Sequence, residues 1–134
     1  MGGDKPDGYV LVNFDDDTNN KNAATTLYVY SADKTGPVGL VNDLLDDQVQ
    51  YGVLRISNLP PVRGKTFRDV FLVWVGPKVS KADRALKSSA AYIKDIKKQL
   101  SPFDAEVTIL SKSKLNRESL LVATSPQATS NVIS

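Results

Sequence analysis

The sequence VFLVWVGPKVSKADRALK, residues 70–87, decides the fold. Its first six residues, Val70–Val75, are all apolar, which is typical of a strand buried on both faces in the middle of a sheet. Ser80 and Asp83 have the spacing of a capping box, in which side chains bind the free amides at the start of a helix. The stretch therefore predicts a central strand that leads directly into a helix.

The segment that follows predicts one long helix over residues 81–100. At about 100° per residue, its apolar positions fall in one stripe and its basic positions on the opposite side. The Ser101-Pro102 pair ends the pattern. The expected buried stripe is Ala82, Leu86, Ser89, Ile93, Ile96 and Leu100, and the expected exposed basic face is Arg84, Lys87, Lys94 and Lys98.

Apolar runs predict the other strands and two shorter helices. The strands are Tyr9–Phe14, Thr26–Tyr30, Val49–Ser57, Asp69–Val75 and Glu106–Leu110, and the helices are Val38–Asp46 and Asn116–Ala123, with Leu115, Leu120 and Leu121 facing inward. The connector NLPPVRGKTFR, residues 58–68, contains two prolines and a glycine. That composition predicts an exposed loop before the central strand.

The order β-β-α-β-β-α-β-α indicates an α+β fold with a central five-stranded mixed sheet flanked by helices. The sheet is expected to be mostly antiparallel, with strands four and five parallel and joined by the long helix in a right-handed crossover. We expect a polar N-terminal extension at residues 1–8, a single domain at 9–123 and a disordered tail at 124–134.

The composition narrows the possible functions. The chain of 134 residues contains no cysteine and no histidine. Disulfides, thiolate and imidazole metal ligands, a Cys nucleophile and the usual general base are therefore excluded. The acidic run Asp15–Asp17 lacks the spaced oxygens of a calcium loop, and the glycines fit no phosphate-binding motif. We expect no enzyme activity, no cofactor and no metal site.

Hydropathy and charge indicate where the protein acts and what it binds. The polar start MGGDKPDG and the lack of an apolar run of about 18–20 residues predict neither a signal peptide nor a membrane span. Residues 1–54 carry nine acidic and three basic side chains, a net −6, whereas residues 55–134 carry fourteen basic and six acidic ones, a net +8. The basic half suggests an acidic partner.

Four segments in order resemble the actin-depolymerising-factor homology (ADF-H) domain, a gelsolin-like fold, and within it the coactosin type more than cofilin. The segments are DDQVQYGVLRI (46–56), VFLVWVGPKVS (70–80), DRALKSSAAYIKDIKKQL (83–100) and EVTILSKSKLNRESLL (106–121). The family normally begins with a helix before the first strand. This chain has only polar residues there, so we expect that helix to be missing.

The resemblance implies binding to the side of filamentous actin, without catalysis, in the cytoplasm and the cytoskeleton. Arg68 matches a filament-contacting basic position before the fourth strand, and Arg84 and Lys87 match the basic positions that open the long helix. Lys112, Lys114 and Arg117 lie where the terminal helix begins, although coactosin is more acidic there. With Arg63 and Lys65 from the preceding loop, these residues are expected to form one cluster of cations held by the sheet.

Two other binding functions remain open. A missing first helix would leave an apolar strip on the sheet, which favours self-association or another protein partner in place of actin. The basic half could also bind nucleic acid. The aromatic residues do not alternate with the basic ones as in a stacking platform, and Trp74 is expected in the core. We therefore expect neither a nucleic acid nor a membrane as partner.

Overall fold

The computed structural model describes residues 8–15, 26–33, 36–62, 64–125, 128 and 130–134. Only Gly8 of the predicted N-terminal extension falls in these ranges. The rest of that extension lies outside the described residues, and so does the segment in which the first helix was expected to be missing. Of the Asp15–Asp17 run, only Asp15 is described. The elements are, in order, β1 (Tyr9–Asp15), β2 (Thr26–Asp33), α1 (Gly36–Asp43), β3 (Val49–Val62), β4 (Lys65–Val75), α2 (Lys81–Lys87), α3 (Ala90–Leu100), β5 (Ala105–Ile109), a 3₁₀ turn (Lys112–Lys114), α4 (Arg117–Ala123) and β6 (Val132–Ile133).

One sheet runs through the described chain, with the strand order β2-β1-β3-β4-β5-β6. β4 pairs with β3 in antiparallel and with β5 in parallel orientation. This confirms the predicted mixed sheet and the central position of the apolar run Val70–Val75. The predicted count of five strands is one too low, because β6 is only two residues long and pairs in parallel with the far side of β5.

The side chains of β4 alternate between two hydrophobic clusters, one on each face of the sheet. Val70, Leu72 and Trp74 pack with residues of α1 and α4, and the intervening side chains pack with α3. Trp74 is 1% exposed, which confirms its predicted place in the core. Its indole nitrogen donates to the carbonyl of Leu45 at 2.7 Å, so the polar end of this buried ring is satisfied.

The long helix predicted over residues 81–100 is interrupted between α2 and α3. Ser88 Oγ donates to the carbonyl of Arg84, and Ser89 Oγ donates to the carbonyl of Leu86 at 2.7 Å. Ser89 is also the N-cap of α3. Serine side chains that bond to nearby backbone compete with a continuous helix, and two adjacent serines are enough to break this one.

The interruption changes which side chains face the core. In α3 the predicted stripe is kept, since Ile96 is buried and Ile93 and Leu100 pack against the same cluster. In α2 the prediction is wrong: Leu86 is 51% exposed, whereas Lys87 is only 6% exposed. A stripe calculated at a constant angle per residue does not continue across a break in the helix.

The predicted exposed loop at residues 58–68 instead extends the hairpin of β3 and β4. Val62 pairs with Lys65, and the register is irregular between Ser57 and Val62. The irregular part contains both prolines, which cannot donate to a strand ladder. Gly64 has a φ of +80°, a left-handed conformation that glycine adopts without steric cost. The remaining elements begin and end within three residues of their predicted bounds.

Part of the tail predicted to be disordered belongs to the sheet. The amide of Thr108 donates to the carbonyl of Asn131 at 2.9 Å, and the amide of Leu110 donates to the carbonyl of Ile133 at 2.8 Å. The Ile133 side chain is 5% exposed and packs in the same cluster as Trp74. The prediction of disorder is therefore wrong for residues 130–134, because one buried isoleucine outweighs a polar composition.

Two substitutions in α4 test this account of the core. Leu120 is 0% exposed and Val122 is 66% exposed. We predict that Leu120→Ala lowers the free energy of unfolding by about 2–5 kcal/mol, because it removes buried methyl groups and leaves a cavity. The matched control Val122→Ala should change it by less than about 0.5 kcal/mol. Urea unfolding measures both, and equal losses would contradict the packing of α4.

Candidate functional site

The basic residues predicted to form one cluster divide between the two ends of β4. Arg68 lies near the start of this strand, and Arg84 lies beside the loop that leaves its other end. The stretch of strand from Arg68 to Gly76 spans about 26 Å at ~3.3 Å per residue. The prediction of a single cluster is wrong, because segments that flank a strand emerge at opposite ends of the sheet.

The first basic group, which we call the α2 end, surrounds the loop between β4 and α2. Its predicted members are Arg84 and Lys112, which contact Gly76 and Asp46, and Lys114 and Arg117, which follow Lys112 along the chain. The structure adds Lys78 in the loop and Lys81 at the start of α2. The amide of Gly76 donates to the carbonyl of Gln48 at 3.0 Å, and that of Lys78 donates to the carbonyl of Asp46 at 2.8 Å. The loop is therefore fastened to the turn that precedes β3.

Gly76 is essential to the way this loop packs. A Cβ atom at Gly76 would lie 2.1 Å from the carbonyl oxygen of Asp46, so no larger residue fits without a backbone shift. The guanidinium of Arg84 donates to the carbonyl of Gly76 at 3.4 Å, while Arg84 as a residue remains exposed. The close backbone approach thus places an exposed guanidinium at the end of the sheet.

Lys112 joins the same end of the molecule through the 3₁₀ turn. Its Nζ lies 3.0 Å from a carboxylate oxygen of Asp46 and 5.7 Å from the centroid of the Trp74 ring. The Lys112 side chain is 30% exposed and that of Asp46 is 47% exposed, so this pair adds at most about 1 kcal/mol to stability. Its main effect is to orient the turn that carries the exposed Lys114.

The second basic group, which we call the hairpin end, consists of Lys65 and Arg68 at the start of β4. The guanidinium of Arg68 donates to the carbonyl of Thr124 at 3.2 Å and to its hydroxyl at 3.0 Å. Thr124 Oγ1 donates in turn to the carbonyl of Leu120 at 2.7 Å. These bonds hold Arg68 at the end of α4, half-buried. Arg63 lies outside the described residues.

Arg55 is a basic residue near the hairpin end that sequence reasoning missed. It makes a bidentate contact with Asp69, at 2.7 and 3.0 Å, and its guanidinium lies 3.9 Å from the centroid of the Phe67 ring. The hydrogen bond to Asp69 raises the pKa of Arg55. No local motif marks Arg55; only the antiparallel pairing of Arg55 with Asp69 brings the two together.

Lys87, predicted as an exposed contact, does not belong to either basic end. It is 6% exposed, and its carbonyl accepts a hydrogen bond from the hydroxyl of Tyr51. Burial raises the pKa of that tyrosine hydroxyl, so it stays protonated and donates at neutral pH. The break at Ser88 and Ser89 turns Lys87 inward, which removes it from the candidate surface.

The α2 end also presents an apolar side chain, Leu86, that sequence analysis had placed in the core. It lies on the same short helix as Lys81 and Arg84, and is 51% exposed. The spacing of Lys78, Lys81 and Arg84, three residues apart, is visible in the sequence and could have identified this group. The exposure of Leu86 follows only from the helix break. Leu86 and Arg84 are two residues apart, so they lie on different sides of this helix, and α2 exposes its apolar side chain beside, rather than among, its basic ones.

Two further observations concern the described residues as a whole. None of their acidic side chains form a group of three or more placed to hold a metal ion. Across the same ranges, no helix combines the length and the apolar character needed to cross a bilayer.

Comparison with known proteins places the chain in a family. Residues 2–124 match the model of the cofilin/tropomyosin-type actin-binding proteins, which confirms the resemblance to the ADF-H domain. A comparison with curated protein sequences finds no match. Among solved structures, coactosin from Entamoeba histolytica has a TM-score of 0.67 at 20% identity, covering 90% of this chain and 81% of its own.

Two mammalian structures share the fold as well. Human coactosin-like protein has a TM-score of 0.65 at 16% identity, covering 82% of this chain and 75% of its own. Mouse coactosin, described as an actin filament binding protein, has a TM-score of 0.53 at 16% identity, covering 84% of this chain and 67% of its own.

Proposed function

Because this chain belongs to the family of cofilin/tropomyosin-type actin-binding proteins, we propose that it binds the side of actin filaments through both basic ends of its sheet. It would influence the cytoskeleton of the cytoplasm by binding alone, without catalysis. The observation that carries this proposal is the presence of two basic surfaces, the α2 end and the hairpin end, at opposite ends of one buried strand.

The separation of the two ends favours an extended partner. Arg84 at the α2 end is exposed and Arg68 at the hairpin end is half-buried, and a single exposed ion pair contributes only about 0.2–1 kcal/mol. Two surfaces held about 26 Å apart by a rigid strand can act together only on a partner that spans that distance. When both are engaged, the second contact is intramolecular and the affinities reinforce each other. The side of a polymer of acidic subunits meets this requirement.

The α2 end has the composition of a protein interface. Specific interfaces combine apolar with polar surface, and here the exposed Leu86 belongs to the same short helix as the exposed Lys81 and Arg84. The cations would steer the encounter with an acidic surface, and Leu86 would supply the area removed from water. Mouse coactosin, which shares this fold, is described as binding actin filaments.

A second candidate function, self-association, is favoured by one observation on the sheet. Val10 of β1 is 39% exposed, and its partner across the ladder, Val53 of β3, is only half-buried. Both lie on the face of the sheet that α3 covers elsewhere. A second copy that covers these valines would remove apolar surface from water.

The two basic ends are tested by co-sedimentation with filamentous actin. We compare three double variants with the unaltered protein. They are Lys81→Ala plus Arg84→Ala at the α2 end, Lys65→Ala plus Arg68→Ala at the hairpin end, and, as the control, Lys94→Ala plus Lys98→Ala on exposed positions of α3. Each double variant loses two positive charges. Each end variant should bind about 2- to 30-fold more weakly, the range expected for two charge contacts of about 0.2–1 kcal/mol each, whereas the affinity of the control should stay within about 1.5-fold of the unaltered protein.

The same assay, run at low and at moderate salt, decides whether the proposal holds. Binding should weaken as salt rises, because exposed charge pairs are screened. Recovery of all the unaltered protein in the supernatant at both salt concentrations would end the proposal. An equal loss in the control variant would mean that net charge, rather than the two ends, governs binding.

Leu86 is tested separately, because it carries no charge. We predict that Leu86→Ala weakens filament binding at least about fivefold, since it removes the exposed apolar side chain of α2. The free energy of unfolding should change by less than about 0.5 kcal/mol, because the side chain is already exposed in the free protein. Val122→Ala, which truncates an exposed valine on α4, is the control. Loss of stability without loss of binding would contradict this role.

Self-association is measured by size-exclusion chromatography with light scattering. If Val10 and Val53 form an interface, the protein should dimerise as its concentration rises, and Val10→Lys should keep it monomeric. A protein that remains monomeric at every concentration would rule out this second candidate.

A further inference from the structure

A short segment covers part of the outer edge of β5. We call residues 130–134, which include β6, the strap. The strap is held by a short parallel ladder with β5, which includes the hydrogen bonds from the amides of Thr108 and Leu110 at 2.9 and 2.8 Å, and by the buried side chain of Ile133. Val132 is 41% exposed. One side chain in a slot and a two-residue ladder thus fasten this segment to the sheet.

The edge of β5 continues beyond the part that the strap covers. Next to its first half lies a cavity of about 360 Å³, lined by Ala105, Glu106, Ala123, Thr124, Ser125, Ala128, Ser130 and Asn131. Strand amides alternate in direction, so the amide of Glu106 lies on the same edge as those of Thr108 and Leu110. This part of the edge can accept further strand pairing.

The covalent path of the chain explains why the strap stops short. It must return from Thr124, at the end of α4, before it reaches Asn131. Ser125, Ala128 and Ser130 therefore line the cavity instead of running along β5. A peptide that is not tied to α4 has no such constraint and can pair with β5 over its whole length.

We propose that the edge of β5 is a docking site for an extended peptide of a protein partner, and that the strap fills half of this site in the isolated chain. The strap itself indicates the ligand's chemistry. The peptide runs parallel to β5 and places isoleucine or valine in the site of the Ile133 side chain. Upstream it carries serine, threonine or asparagine, against the hydroxyl groups of Thr124 and Ser125, which line the cavity and do not belong to the strap. Addition of a strand to an exposed sheet edge is a common mode of peptide recognition.

The proposal requires that the strap open while the rest of the fold stays intact. Segments with few buried contacts open locally, at much lower free energy than the core. β4 should open only at a much higher free energy, because its residues Val70–Val75 are at most 5% exposed. The site lies on a sheet edge, and the proposal does not depend on whether the chain binds actin.

Native-state hydrogen exchange on the unaltered chain tests the opening. The amides of Thr108 and Leu110 should exchange through a local event whose rate does not depend on low concentrations of denaturant. The amides of Leu72 and Trp74 should exchange only through global unfolding, with a strong dependence on denaturant. If all four amides showed the same protection and the same dependence, the strap would be part of the global core and the proposal would be wrong.

Peptide binding tests the site itself, on the full-length chain. The probe is a synthetic peptide with the sequence of residues 128–134, ATSNVIS. Ile133→Asp should release the strap, and the peptide should then shift the amide resonances of Glu106, Thr108 and Leu110 saturably. In the control Val132→Asp, which changes an exposed side chain, the strap stays in place and the peptide should bind at least tenfold more weakly.

Two results would overturn the docking site. One is a folded Ile133→Asp protein whose three amides do not respond to the peptide. The other is an equal response to a peptide with aspartate in place of isoleucine, since the site of the Ile133 side chain would then show no preference for an apolar residue. If Ile133→Asp does not fold, Ile133 is required by the global core, which also contradicts a strap that opens locally.

Discussion

The structure depends on the complete burial of β4. Val70–Val75 are at most 5% exposed and alternate between two hydrophobic clusters, so this one strand holds α1 and α4 on one face and α3 on the other. Its neighbours fix the topology, because β3 pairs with it in antiparallel and β5 in parallel orientation. A strand packed on both faces cannot tilt or slip without moving α1, α3 and α4, and it therefore acts as a rigid spacer between the surfaces at its two ends.

That spacer relates the fold to the proposed function. The α2 end is built on the close contact of Gly76 with the carbonyl of Asp46, and the hairpin end on the bonds from Arg68 to Thr124. Among the described residues, no acidic side chains form a group of three or more placed to bind a metal ion. Arg84 at the α2 end and Arg68 at the hairpin end each donate to a backbone carbonyl, an arrangement suited to a broad acidic surface. A filament differs from a small ligand in presenting such a surface over the distance that separates the ends.

The sequence predicts most of the fold, and its errors have local physical causes. The apolar run of β4, the parallel pair and the core position of Trp74 follow from hydrophobic pattern and chain order. The exposure of Leu86 and the burial of Lys87 do not, because they depend on how Ser88 and Ser89 bond to nearby carbonyls. The division of the basic residues follows from strand direction and could have been predicted. The docking of Ile133 could not, since one side chain in a polar segment leaves no periodic signal.

The central claim is that both basic ends contact the filament at the same time. Electron cryo-microscopy of actin filaments saturated with this protein measures it most directly. The account predicts one chain bound along the filament side, with Arg84 at one end of β4 and Arg68 at the other both against actin. A bound chain with the hairpin end facing solvent would contradict the two-ended mechanism, and filaments that remain bare at saturating concentration would contradict actin binding itself.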